Sequence, residues 1–151
     1  MTKANEINVF SKDIIELKLI ADRMAEGRGD EPGIFSNMHQ ILYIVNRKEF
    51  VSPKEIISEL NIAKSNLAIL AKKMIDDGLI ESHKDTENRR EIFYNITEKG
   101  KVVLQEKLDK IDEDYGEGTK AVISAVTRAV EELKKLETKR NTLKRKRGNK
   151  C

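Results

Sequence analysis

The sequence predicts a mainly α-helical chain with a small β-hairpin wing, in which a winged helix-turn-helix is flanked by N- and C-terminal dimerisation helices. Three observations support it: two short amphipathic segments joined by a brief turn, a pair of β-compatible segments with a charged tip, and long amphipathic segments at both chain ends. The expected regions are an N-terminal dimerisation helix and loop (1–33), a winged helix-turn-helix (34–100), C-terminal dimerisation helices (101–138) and a disordered basic tail (139–151).

The first expected helix runs from Ile7 to Met24, where apolar residues recur every three or four positions. A loop follows at residues 27–33, which contain three glycines and one proline. The next helix is expected over residues 34–47, and it has Met38, Ile41, Leu42 and Val45 on one face.

The helix-turn-helix is expected to begin with the sequence Ser52-Pro53-Lys54-Glu55. Ser52 and Glu55 have the spacing of a capping box, and Pro53 stands at the first helical position, where its missing N–H costs nothing. After an interruption at residues 60–62, a second helix is expected from about Lys64 to Asp77. Its inward-facing residues are Leu67, Leu70, Ala71 and Met74. Two helices so close in sequence must cross steeply.

A β-hairpin is expected after Gly78, which stands where a helix C-terminus most often needs a left-handed residue. Residues 79–84 and 91–96 are β-compatible, and the polar residues 85–90 form the turn between them. Thr97 then offers an N-cap for the following helix, with Glu98 in the first turn.

The two ends of the chain have apolar residues at the same helical spacing. At the C-terminal end, these residues lie in a second long helix that is expected after a break at residues 116–118. We expect these faces to form a homodimer, since two long amphipathic helices beside a small module need an apolar partner. The alternative is a monomer whose end helices complete one core. The expected dimerisation residues are Ile7, Phe10, Ile14, Leu17, Val122, Val126, Leu133 and Leu136.

The composition is highly charged and poor in aromatic residues, at 36% and 5%. The formal charge of +3 combines seven basic residues after position 138 with a net −4 in the rest of the chain. Such a basic tail is usually disordered and solvated, and contact with DNA phosphates is the alternative. The sequence has no membrane-length apolar run, no signal-peptide pattern and a single cysteine, Cys151, so we expect a cytoplasmic protein.

Three motifs in this order resemble the MarR family of bacterial and archaeal transcriptional regulators: residues 60–67, residues 78–90 with the paired Arg89 and Arg90, and Ile96-Thr97-Glu98-Lys99-Gly100. The resemblance extends over residues 7–138. It implies an obligate dimer that binds a pseudo-palindromic promoter site in double-stranded DNA, usually as a repressor. It also implies release by a small phenolic or other amphipathic effector.

The sequence departs from the family pattern at three positions. Ala63 stands where Ser or Thr often caps the second helix of the motif, and we expect Asn61 and Ser65 to compensate. Asn88 stands where an acidic residue commonly precedes the paired arginines. Ile69 replaces a position that is often basic, which favours a more apolar reading of the bases.

The expected DNA contacts lie on the outer face of the second helix and at the wing tip. Asn66 has the geometry to bind adenine, and the long, planar arginine side chains suit a narrow minor groove. The alternatives are that the polar residues only start the helix and that the arginines only increase solubility. The expected DNA-binding residues are Lys64, Ser65, Asn66, Ala68, Ile69, Lys72, Arg89 and Arg90.

Phe35, His39 and Tyr43 are spaced four apart and are expected to line an effector site, although core packing explains the two aromatic residues equally well. Neither His39 nor His83 has cysteine or acidic neighbours with metal-ligand spacing. The sequence also has no nucleophile motif and no phosphate-binding loop. We therefore expect no enzyme activity, no metal and no cofactor. The alternative function is a winged-helix module that binds another protein and has no operator of its own.

Overall fold

The computed structural model describes residues 3–26, 32–88, 90–115 and 120–148, with the side chains of residues 3–8 and 115 left out of the description. The chain divides into two compact units, Met1–Ile111 and Asp112–Cys151. Eight elements follow one another: α1 (Lys3–Met24), α2 (Asn37–Asn46), α3 (Pro53–Leu60), α4 (Lys64–Asp76), β1 (Ile80–Lys84), β2 (Ile92–Ile96), α5 (Glu98–Tyr115) and α6 (Lys120–Gly148).

The first unit has a hydrophobic core to which α2, α3, α4, the hairpin and the start of α5 all contribute. Its most deeply buried side chains are Ile41, Leu42, Val45, Val51, Ile56, Met74 and Ile80. Leu104 of α5 is buried in the same core. Val103 and Leu108 pack against this core, so the start of α5 is packed on the winged helix-turn-helix.

Helix α2 begins three residues later than the sequence predicted. Ser36 is its N-cap, and the Ser36 hydroxyl accepts a hydrogen bond from the backbone N–H of His39 at 3.3 Å. Phe35 therefore precedes the helix. The capping box of α3 is confirmed, since Ser52 Oγ accepts from the Glu55 N–H and the Glu55 carboxylate accepts from the Ser52 N–H.

Strands β1 and β2 form an antiparallel hairpin in which Ile80 pairs with Ile96 and Lys84 with Ile92. A further bridge joins Val51, just before α3, to Tyr94 in the middle of β2. Two backbone hydrogen bonds of 3.1 and 2.8 Å make this bridge, and both residues are buried. The hairpin is thus attached to the segment that leads into the helix-turn-helix.

The terminal helices differ from this core. No described side chain of α1 is buried, and the same is true of α6. Helix α6 also continues to Gly148, so the prediction of a disordered tail is wrong for residues 139–148. Lys and Arg are good helix formers, and cations are favourable at a helix C-terminus. Residues 149–151 lie outside the described part of the chain. No helix among the described residues is long and apolar enough to span a membrane.

Candidate nucleic-acid interface

Helix α4 has one buried face and one exposed face. Leu67, Ala71 and Met74 are buried in the core, and Leu70 packs against it, as the sequence predicted. The six residues of α4 predicted to contact DNA are all exposed: Lys64, Ser65, Asn66, Ala68, Ile69 and Lys72. Ile69 is 70% exposed, and no acidic residue precedes Asp76 in this helix. The exposed face therefore combines cations, hydrogen-bonding groups and one large apolar side chain on a helix that the core holds in place.

The first turn of α4 has no side-chain cap. Ala63 occupies the N-cap position in an extended conformation, and no side chain bonds to the free N–H groups there. The expected compensation by Asn61 and Ser65 is therefore not made. Asn61 instead adopts a left-handed conformation with φ of 52°, which ends α3 and forms the turn. Asn tolerates this conformation better than most residues. The free N–H groups leave a partial positive charge at the start of the exposed face.

The C-terminal end of α4 is attached to the start of α5. Gly78 has φ of +75°, as predicted, and Thr97 Oγ1 donates to the Gly78 carbonyl at 2.6 Å. Lys99 Nζ donates to the Asp77 carbonyl at 2.7 Å, which satisfies another free carbonyl of the helix end. A Cβ on Gly100 would lie 2.2 Å from the Leu79 carbonyl oxygen, so only glycine permits this approach. These contacts fix the position of α4 relative to the hairpin and α5.

The wing tip is a hydrogen-bonded turn between β1 and β2. The N–H of Asp85 donates to the Glu91 carbonyl at 3.0 Å, and the N–H of Glu91 donates to the Asn88 carbonyl at 3.0 Å. Asn88 Oδ1 accepts from the backbone N–H of Arg90 at 3.3 Å, so its amide orients the backbone of the turn. The Arg90 residue is exposed. Arg89, also predicted to contact DNA, lies outside the described residues.

Aromatic contacts support the outer face of the wing. The ring of Phe50 meets the rings of His83 and Phe93 edge-on, with centroids 6.3 Å apart in both cases. His83 and Phe93 are cross-strand neighbours in the hairpin. Neither this cluster nor the Val51–Tyr94 bridge could be predicted, because both join residues far apart in the chain. No signal in the sequence indicates either pairing.

Of the three residues predicted to line an effector site, only His39 lines the cavity beside α2. His39 is buried and lines a cavity of about 340 Å³ between α2 and α5. Phe35 and Tyr43 are about half exposed and do not line it. Helix α2 starts after Phe35, and Tyr43 points to solvent, where the Arg47 guanidinium lies 5.6 Å from its ring centroid. Roles for Phe35 and Tyr43 in effector binding stay predictions. The observed lining consists of Pro32, Met38, His39, Val103, Glu106, Lys107 and Lys110.

The electrostatics of this cavity centre on His39. Burial lowers the pKa of the imidazole below its usual value, and the positive charge of Lys107 lowers it further. Ser36 Oγ lies 2.8 Å from His39 Nδ1 and fixes the ring orientation. Within the described residues, no group of three or more His, Cys, Asp or Glu side chains is arranged to hold a metal ion.

Comparison with known proteins supports a winged-helix fold. Residues 37–100 match the winged helix DNA-binding domain. The HTH-type transcriptional regulator PetP of Rhodobacter capsulatus is 34% identical over 68 residues, which are 45% of this chain and 41% of PetP. The chain thus spans about two fifths of the length of this relative.

Two solved structures show the same fold. The transcriptional regulator BldR of Sulfolobus solfataricus superposes with a TM-score of 0.60 at 18% identity, covering 87% of this chain and 99% of BldR. A crystal structure of MarR superposes with a TM-score of 0.54 at 19% identity, covering 80% of this chain and 94% of MarR. The similarity extends well beyond the winged helix, so the flanking helices belong to the shared fold.

Proposed function

Because residues 37–100 match the winged helix DNA-binding domain and the chain shares the fold of MarR, we propose that it is a MarR-family transcriptional regulator that binds double-stranded DNA as a homodimer. In this proposal it represses transcription by occupying a pseudo-palindromic promoter site, and a small effector releases it. The exposed face of α4 carries the proposal, since it presents polar, cationic and apolar groups without a single acid before Asp76.

The exposed face of α4 is suited to the major groove, which is wide enough to admit an α-helix. Asn66 lies in the first turn and can bond adenine through its amide, while Lys64 can reach a guanine or a phosphate. Lys72 lies two turns further along the helix and is suited to a phosphate. Arg90, at the exposed wing tip, is the candidate for the adjacent minor groove. Arg89 is proposed to contact the phosphate backbone of the DNA, and this proposal rests on the sequence alone.

The homodimer is supported by the apolar side chains that α1 and α6 expose. Large apolar residues are exposed along both helices: Val9, Phe10, Ile14, Ile15, Leu17, Leu19, Ile20 and Met24 in α1, and Val122, Ile123, Val126, Val130, Leu136 and Leu143 in α6. Apolar surface of this extent usually marks an interface. A two-fold dimer would also place two α4 helices on half-sites about 34 Å apart, one turn of DNA. Of the predicted dimerisation residues, Leu133 is partly buried within its own chain, and the Ile7 side chain lies outside the description.

The effector site is proposed at the cavity between α2 and α5. Its volume of about 340 Å³ lies at the lower end of the range for small-molecule pockets. Met38 and Val103 give it an apolar wall, and Lys107, Lys110 and Glu106 give it a charged one. These surroundings suit a small amphipathic or phenolic molecule. Because α2 and α5 both pack on the core that holds α4, a ligand between them can change the position of α4.

The experiment that tests the proposal is selection of bound sequences from a random DNA pool, followed by footprinting of the enriched site. We expect a two-fold symmetric protected site. Arg90→Ala should weaken binding roughly tenfold, equivalent to about 1.4 kcal/mol, and reduce the salt dependence of affinity. Arg23→Ala, an exposed arginine in the last turn of α1, is the matched control and should leave both unchanged. If no sequence is enriched, the proposal is wrong and a protein-binding module becomes the better explanation.

A further inference from the structure

The C-terminal end of α6 carries a dense run of positive charge. We call residues 139–148 the basic segment. Its structure is helical throughout, and all ten residues are exposed. It contains no acidic residue, whereas residues 120–138 of the same helix contain acids and bases in similar number. The six cations of the basic segment are Lys139, Arg140, Lys144, Arg145, Lys146 and Arg147.

These cations repel one another within the isolated chain. Arg140 and Lys144 are four residues apart, and Lys144 and Arg147 are three apart, so both pairs are neighbours on the helix surface. Like charges at these spacings destabilise a helix by a few tenths of a kcal/mol per pair. Because the basic segment has no acid of its own to offset this repulsion, a polyanion that lies along it would relieve the repulsion and stabilise the helix.

We propose that the basic segment binds the phosphate backbone of double-stranded DNA without regard to sequence. Ten helical residues span about 15 Å and carry six cations, or one per about 2.5 Å, a density that approaches that of DNA, which has one negative charge per about 1.7 Å of its axis. The contact adds affinity and speeds association, in contrast to the base reading proposed for α4. It requires no operator, so it stands or fails independently of the proposed function.

DNA is favoured over a membrane surface by the way the charges are distributed. A helix that lies in a membrane interface has a wide apolar face opposite its cations. In the basic segment the cations surround the helix axis, and Leu143 is the only large apolar residue. A winged helix DNA-binding domain in the same chain also keeps the basic segment at high local concentration near any bound duplex.

The test compares two triple variants of the full chain that lose the same charge. Arg145→Gln, Lys146→Gln and Arg147→Gln alter the basic segment, and Lys12→Gln, Lys18→Gln and Arg23→Gln alter α1 as the matched control. Circular dichroism first establishes that both variants keep the wild-type helix content. Affinity for a duplex without any selected site is then measured between about 50 and 200 mM salt.

Affinity falls as salt concentration rises, and we expect this fall to be less steep in the first variant. The slope of log affinity against log salt concentration should become less negative by up to about 0.9 for each cation removed. The control should keep the wild-type slope. On a selected operator, the first variant should weaken binding while leaving the ratio of operator to non-operator affinity unchanged. Equal slopes for the two variants would overturn the proposal. Roughly tenfold tighter binding of double-stranded RNA than DNA by the wild-type chain would overturn the assignment to DNA.

Discussion

The winged helix and the terminal helices of this chain have similarly spaced apolar residues but bury them very differently. Ile56 of α3 is fully buried within its own chain, whereas Phe10 of α1 and Val126 of α6 are about half exposed. The first region is held by contacts between α2, α3, α4, the hairpin and α5. The second region has apolar faces on which no described side chain of α1 or α6 is buried. An amphipathic pattern thus predicts which face of a helix packs against protein. It does not determine whether that protein is the same chain or a partner.

The largest effect is expected from a charge placed on the apolar face of α6. Val126→Glu should dissociate the proposed homodimer, because a carboxylate in an apolar interface is strongly unfavourable. Loss of the second half-site contact should then weaken operator binding roughly 10²- to 10⁴-fold. Light scattering measures the mass of the particle, and a gel-shift titration measures the affinity. Thr127→Glu, the next residue along the helix, is the control with the same charge change. A dimer that survives Val126→Glu would show that this face is not the interface.

The next largest effect is on the free energy of unfolding, for which a buried and an exposed isoleucine of the helix-turn-helix should differ. Ile56→Ala should lower the free energy of unfolding by about 2–5 kcal/mol, because it leaves a cavity in the core. Ile69→Ala removes the same atoms from a 70% exposed position and should change stability by less than about 0.5 kcal/mol. Urea unfolding of both variants at one protein concentration measures the difference. Equal losses would mean that Ile69 is covered by protein in solution.

Ile69→Ala should nevertheless affect DNA binding, because the thymine methyl group is an apolar group that the major groove exposes. Replacing the contacted thymine of a selected operator by deoxyuridine removes that methyl and should cost the wild-type protein about 0.8 kcal/mol, roughly fourfold in affinity. The Ile69→Ala variant should bind both operators alike. A wild-type protein that is insensitive to every such replacement would leave Ile69 without a role in reading bases, although the protein would still bind its operator.

The smallest effect concerns pH. Burial lowers the pKa of His39 in the folded chain, so the unfolded chain binds more protons just below the usual histidine pKa of about 6.5. Stability should therefore fall as the pH drops from about 6.5 towards the lowered pKa, and His39→Gln should flatten this dependence. Unfolding measured at several pH values tests it. A profile that His39→Gln leaves unchanged would contradict the prediction.

Much of the candidate DNA-binding site could be predicted because its elements depend on nearby residues. The inward face of α4, its exposed polar face and the hairpin after Gly78 all follow from spacing along the chain. The burial of His39 could not be predicted in the same way, because it depends on α5, more than 60 residues away in the sequence. The tail was interpreted from its charge as disordered, whereas its intrinsic helix propensity extends α6 to Gly148.

By itself, the sequence determined the features whose causes lie within a few residues: the capping box of Ser52 and Glu55, the left-handed Gly78 and the cap of Thr97 on α5. Only the tertiary structure decided the close approach of Gly100 to Leu79 and the bridge between Val51 and Tyr94. Local features arise from hydrogen bonds and backbone preferences that neighbouring residues satisfy. The others depend on distant segments that meet only after the core has formed, so no spacing along the chain encodes them.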